Sequence, residues 1–212
     1  FPRGLLASFK SRIYNNYPLF WTSFECFYPS QILELLHPSY KQKFSLSDNY
    51  CPVYDLYNNF LDKSPFNDSL KWMMYSDLNL RLPELLLMRV DKMSMPHSLE
   101  CRVPFLDHKL VEFAYSIPSS LHLSNGHKTL LKKSYNDVIP RSLLSKRKQG
   151  FSVPLSDWHS MDLFADFNET LKTFCTSTEI LDWNTVSRFI DSSRPDSVWP
   201  LYNLALWWNC HF

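Results

Sequence analysis

Three glycines, Gly4, Gly126 and Gly150, are all that 212 residues contain. A chain this poor in glycine has few places for left-handed turns or for close approach of backbone to a ligand. It cannot wrap a glycine-rich loop around a phosphate. Neither a Walker loop, a GxGxxG segment nor a GxSxG elbow is present. Aromatic residues make up 16% of the chain, and leucine is frequent. That balance suits packed helices better than glycine-turned β-sandwiches. The expected fold is mainly α.

The length permits one domain with a sizeable core. Hydrophobic content of 45% and charged content of 20% read as globular. A net charge of +1 makes no electrostatic case for nucleic acid or for an anionic membrane. The most apolar run, residues 198–208, is far shorter than the ~20 residues a membrane span needs. The five cysteines (Cys26, Cys51, Cys101, Cys175, Cys210) are odd in number, widely spaced and without a CxxC pair. They read as reduced, buried thiols of a cytoplasmic protein rather than as a disulfide framework or a zinc site. None of the seven histidines has HxH or HExxH spacing, so no metal is expected and His97 and His108 read as structural. The sequence starts at Phe1, in mid-pattern and without Met, as a fragment or processed piece would.

Residues 1–71 carry no chemical motif. Short helices are expected at 31–36 and 53–61, with breaks at Pro29, Pro38, Pro52 and Pro65. Residues 69–95 read as helix, broken at Pro83, which fits the first turn of a second helix. Leu86, Val90 and Met93 follow i, i+4, i+7 spacing and form an apolar stripe. Asp107 has the character of an N-cap. Leu110, Val111, Ala114 and Ile117 line one face of the helix it would start, which ends by Pro118. Asn125-Gly126 marks a turn. Residues 128–138 read as helix, 141–154 as a basic loop, and 164–174, 183–189 and 198–208 as further helices.

Three groups of residues have chemical potential. Asp91 shares a helical face with Leu87 and Met95, which places a carboxylate among apolar side chains. Burial there is costly unless the group is paired. Either Arg89, Lys92 or Arg102 pairs with it, or it faces a cleft and holds a substrate ammonium. Glu100 and Arg102 flank Cys101 in a segment that Pro104 biases to extended geometry. They point to one side, as a buried-looking pair that forms an internal salt bridge or cap, or contacts substrate. Lys146, Arg147 and Lys148 form a basic cluster just before Gly150. Such a loop suits a phosphate, although a three-residue charge run is commonly solvated surface.

Residues 82–114, LPELLLMRVDKMSMPHSLECRVPFLDHKLVEFA, resemble the asparagine synthetase family pattern LPxxLLxxVDRMSMxHSLExRVPFLDHxLVEFA. NGHKTLL at 125–131 looks like the segment that follows, with Lys128 at the family's lysine. IPRSLLSKRKQGFSVP at 139–154 is similar to LPxxILxRPKxGFxVP. VWPLYNLALWW at 198–208 looks like the family's last helix. The resemblance covers about residues 70–212, with several motifs in order.

That resemblance implies the helical C-terminal portion of an α/β ATP-pyrophosphatase-like synthetase domain. Residues 1–212 would be the C-terminal part of one such domain, with 1–71 a variable helical segment and 72–212 the motif-bearing core. The family's SGGxDS loop and its glutaminase domain have no counterpart here. The implied activity is ATP-dependent amidation of aspartate through β-aspartyl-AMP, with MgATP and with ammonia from glutamine. The implied partners are the glutaminase and ATP-binding segments of a parent protein, with no nucleic acid and no membrane; a homodimer is compatible with the resemblance. Lys148 aligns with the family lysine that stabilises charge on the α-phosphate, and Gly150 and Phe151 would shape its loop. Asp91 aligns near a substrate-pocket carboxylate. Glu100 and Arg102 would serve the same pocket, with Asp107 as scaffold. Two positions depart from the pattern: Arg147 stands where proline is usual, and Ala205 where glutamate is common. A ligase for another carboxylate and a non-catalytic helical fragment are the alternatives.

Overall fold

The computed structural model describes residues 9–10, 12–14, 16–20, 26–27, 29–43, 51–65, 68–124, 126, 128–147, 166–192 and 195–212. Among them the regular structure is helical, apart from one isolated antiparallel bridge between Leu36 and Leu181. The mainly α expectation therefore holds. In chain order the α-helices are α1 (Pro29–Leu35), α2 (Pro38–Lys41), α3 (Cys51–Lys63), α4 (Ser69–Ser76), α5 (Met88–Ser94), α6 (His108–Ser116), α7 (Ser119–Leu123), α8 (Thr129–Ser134), α9 (Arg141–Leu144), α10 (Phe167–Thr178), α11 (Trp183–Ser192) and α12 (Pro195–His211). No helix of the described residues is long and apolar enough to cross a membrane.

The prolines do not all act as breaks. Pro29 opens α1, Pro52 lies in the first turn of α3 and Pro38 opens α2, where a missing N–H is harmless. Pro83 does not break its helix. Asp77–Leu87 is a π-helical stretch that joins α4 to α5, and the Met88 N–H reaches the Pro83 carbonyl. Wider i→i+5 winding moves the preceding carbonyls away from the proline ring, which removes the clash that ends an ordinary α-helix. The 128–138 helix stops at Ser134, because Tyr135 leaves helical geometry and Asn136 and Asp137 follow, residues whose side chains compete for backbone bonds. The basic loop opens with a helical turn, α9.

The chain divides into two compact units. Unit one draws on Phe1–Tyr17, Glu25–Cys51 and Phe151–Phe212. Its core is built from helical stripes: Phe167, Leu171, Phe174 and Cys175 on α10, and Val198, Leu201, Tyr202 and Ala205 on α12. Both follow i, i+3/i+4, i+7 spacing, which sets one face of each helix inward. Leu35, Leu36, Leu181 and Val186 complete it. Two backbone bonds of 2.9 Å, from Asp182 to Leu35 and from His37 to Ile180, make the bridge. Ala205 is fully buried, so a glutamate there would bring an ionisable group into an apolar core.

Unit two draws on Pro18–Phe24 and Pro52–Gly150. Its interior is aromatic: Tyr57 and Phe60 of α3 meet Trp72 and Tyr75 of α4, with the Tyr57 and Trp72 rings edge-on at 4.9 Å. The Trp72 indole donates to the Phe20 carbonyl at 2.9 Å, which satisfies its one polar atom. The stripe of Leu86, Val90 and Met93 is not covered; Met93 is 76% exposed.

Candidate functional site

Asp91 lies on α5 and is exposed. Its predicted burial among apolar groups is corrected here: Met95, on the same helical face, is also exposed, and solvent reaches the carboxylate. Among the described residues it forms no ion pair with Arg89, Lys92 or Arg102. It lines a groove of about 450 Å³ with Leu87, Met88, Val90, Cys101, Val103 and Leu106. The groove is an apolar trough with one carboxylate at its wall. Such a wall can hold an ammonium while the rest of a small molecule lies on carbon.

Glu100 and Arg102 reach each other across Cys101. Arg102 Nε donates to Glu100 Oε1 at 2.8 Å, with side-chain exposures of 84% for Arg102 and 69% for Glu100. The alternation in an extended segment predicts this pairing; the buried appearance is corrected. Exposed pairs contribute at most about 1 kcal/mol. Neither side chain lines the groove, but the segment between and after them does, through Cys101, Val103 and Leu106. Asp107 caps α6 as expected: its Oδ1 accepts from Lys109 N–H (3.0 Å) and Leu110 N–H (3.2 Å). The structure thus brings Asp91 and the 101–106 strip onto one groove.

A second cavity, of about 1220 Å³, lies between α8 and α9. Lys128, Lys132, Lys133, Lys146 and Arg147 line it, together with Gly126, Thr129, Asn136 and Ser145, and none of its described lining residues is acidic. The turn that shapes it needs Gly126, whose φ is +97°; a side chain there would be strained even with open space around it. Lys128 follows in the left-handed region at φ 59°, and Thr129 Oγ1 donates to the Gly126 carbonyl at 2.9 Å. Lys128 caps α8 and Lys132 follows one turn later, its N–H donating to the Lys128 carbonyl at 2.9 Å. Five cations without a carboxylate concentrate anions.

Lys148, with Gly150 and Phe151, lies outside the described residues. Lys146 and Arg147 lead into it from the cavity wall. Arg147, at the position where proline is usual in the family pattern, adds a further cation to that wall. Lys132 and Lys133 escaped the sequence reading, although the signal was there: KTLLKK holds three lysines at helical spacing. The thiols are corrected as well. Cys175 is buried, and burial pushes its pKa up to about 11 with Asp182 adding to the rise, whereas Cys26, Cys101 and Cys210 are exposed.

The asparagine synthase family pattern matches residues 6–209. Asparagine synthetase [glutamine-hydrolyzing] 1 of Bacillus subtilis is 39% identical over 100 residues, 47% of this chain and 16% of the relative. Asparagine synthetase [glutamine-hydrolyzing] 3 of the same organism is 30% identical over 184 residues, 80% of this chain and 29% of the relative. A putative asparagine synthetase [glutamine-hydrolyzing] of Mycobacterium bovis is 26% identical over 185 residues, 84% of this chain and 27% of the relative. The chain spans less than a third of the length of these relatives. No solved structure gives a significant match.

Proposed function

The chain belongs to the asparagine synthase family, and from that membership we propose that it forms part of a ligase that amidates aspartate. ATP drives the reaction, through adenylation of the β-carboxylate, and ammonia comes from glutamine. The observation that carries this reading is the basic cavity of unit two. Its five cations would neutralise the phosphates of ATP and the pyrophosphate that leaves. Lys148, next in sequence after the cavity wall, would place an ammonium against charge that grows on the α-phosphate. Loss of such a group lowers rate by ~10²–10³. Asp91 would hold the substrate's ammonium in the apolar groove, with Glu100 and Arg102 at the rim.

Mg²⁺ fits this cavity poorly. Its charged groups are all cations, its side-chain oxygens are the neutral ones of Thr129, Asn136 and Ser145, and no cluster of three His, Cys, Asp or Glu side chains fit to hold a metal ion exists among the described residues. The ion would enter with the nucleotide's phosphates. A glycine-rich phosphate loop and a glutaminase would come from further polypeptide. The exposed apolar side chains of unit two, Met93 and Val138 among them, leave carbon that it would cover.

Two experiments test the proposal. Calorimetric titration of the chain with inorganic pyrophosphate should give saturable binding that weakens with salt and is lost in a Lys132→Glu/Lys133→Glu variant. No saturable binding at millimolar pyrophosphate would sink the phosphate assignment. In a polypeptide that also carries a glutaminase and the nucleotide loop, Lys148→Ala should lower amidation by ~10²–10³ and spare glutamine hydrolysis. Equal loss of both activities would make Lys148 structural.

A further inference from the structure

A fully buried lysine lies outside both cavities. Lys71, in the first turn of α4, has no solvent exposure. Its ammonium donates to the carbonyl of Tyr115 and, at 2.7 Å, to that of Ile117, and sits 4.8 Å from the centre of the Tyr115 ring. These carbonyls close the C-terminal end of α6, where the backbone lacks helical partners. A second tie runs beside the first: Ser119 Oγ lies 2.9 Å from both carboxylate oxygens of Asp68, which also caps α4 through the Lys71 N–H. The Tyr115 hydroxyl completes the set at 3.5 Å from the Lys71 carbonyl.

Apolar burial does not place α6. None of its side chains is fully buried, and Phe113 is 64% exposed. Its apolar face is only partly covered and has no locked knob, so several packings have similar energy. Directional hydrogen bonds from a buried cation distinguish between them. Register selection is also the best-attested use of a buried ionic group, because such groups add little net stability.

We propose that Lys71 is the registry residue of unit two, whose buried ammonium selects one placement of α6 against α4. The placement carries through the Asp107 cap to the 103–106 wall of the groove. The inference concerns the fold of this unit and stands apart from the proposed reaction. Burial lowers the Lys71 pKa and Asp68 opposes this, while the two carbonyls and the Tyr115 ring hold the ammonium in place.

Hydrogen exchange on the whole chain, read by mass spectrometry for Lys71→Met and Lys71→Arg, tests this. Lys71→Met should speed exchange across residues 113–121 at least tenfold while the thermal midpoint falls by less than about 5 °C, the order expected for loss of an ordinary contact. Lys71→Arg, which keeps donors and charge, should restore most of the protection. Unchanged exchange in Lys71→Met would show that apolar packing places α6. A larger fall in midpoint, or failure to fold, would make Lys71 an ordinary stabilising contact. Either result overturns the proposal.

Discussion

The two units solve the same packing problem in opposite ways. In unit one, α10 and α12 turn complete apolar stripes inward, and the polar groups nearby are satisfied at the edge. Tyr202 donates to Asp166 at 3.2 Å, and Asp182 accepts from Thr185 through both its N–H and its hydroxyl. Unit two keeps a small aromatic interior between α3 and α4, joins α4 to α6 by a polar clasp and leaves its motif-bearing stripe uncovered. The first unit is a core made by sequence periodicity. The second has the periodicity without the cover, and it carries the groove beside Asp91 and the basic cavity; unit one holds a smaller pocket of about 450 Å³ lined by Glu34, Lys41, Thr185, Arg188 and Phe189. Unit two thus presents exposed carbon near a wall of positive charge, whereas unit one turns its apolar stripes inward.

That contrast can be broken in order of effect size. Phe174→Ala, in the closed core of unit one, should cost about 3–5 kcal/mol in chemical denaturation; a loss near zero would show that this core is not tightly packed. The Cys175 thiol comes next. Its folded pKa is raised above the ordinary 9.0 to about 11, so the native state holds its proton more tightly. The stability it contributes is whole below pH 9 and is lost as pH rises through about 11. Below that window Cys101 and Cys210 should react readily with a thiol reagent and Cys175 only on unfolding; early reaction of Cys175 would contradict its burial. In unit two, Asp107→Ala should cost about 1 kcal/mol through loss of the α6 cap, measured by thermal or denaturant unfolding. The smallest effect on stability is expected at Met93 or Val138. Substitution by lysine should change it by no more than about 0.5 kcal/mol in denaturant unfolding. A large loss of stability would mean that these side chains are covered in solution.

The helices expected at 183–189 and 198–208, and the described part of 164–174, were legible in the sequence because helical spacing needs no knowledge of partners; which side chains face inward was not stated by it. The Asp107 cap was legible for a similar reason: the groups it satisfies lie two and three residues away. The Glu100–Arg102 pair followed from local alternation, but its exposure did not, since exposure depends on what packs above it. Asp91 failed in the same manner. Its position on an apolar face was correct, and the inference that this face is buried was not. Pro83 misled because a proline's effect depends on the winding around it, and π-helical winding has no strong local signal.

Periodicity, capping residues and the scarcity of glycine therefore determined the helical class, most element positions and the exclusion of a glycine-rich phosphate loop within these residues. Tertiary structure alone decided which apolar stripes are covered, that the lysines of α8 and the cations that follow α9 converge on one cavity, and that Lys71 meets carbonyls 44 and 46 residues away. The reason is range. Backbone preference and helical spacing act over a few residues, whereas burial and charge convergence depend on chain segments that only folding brings together.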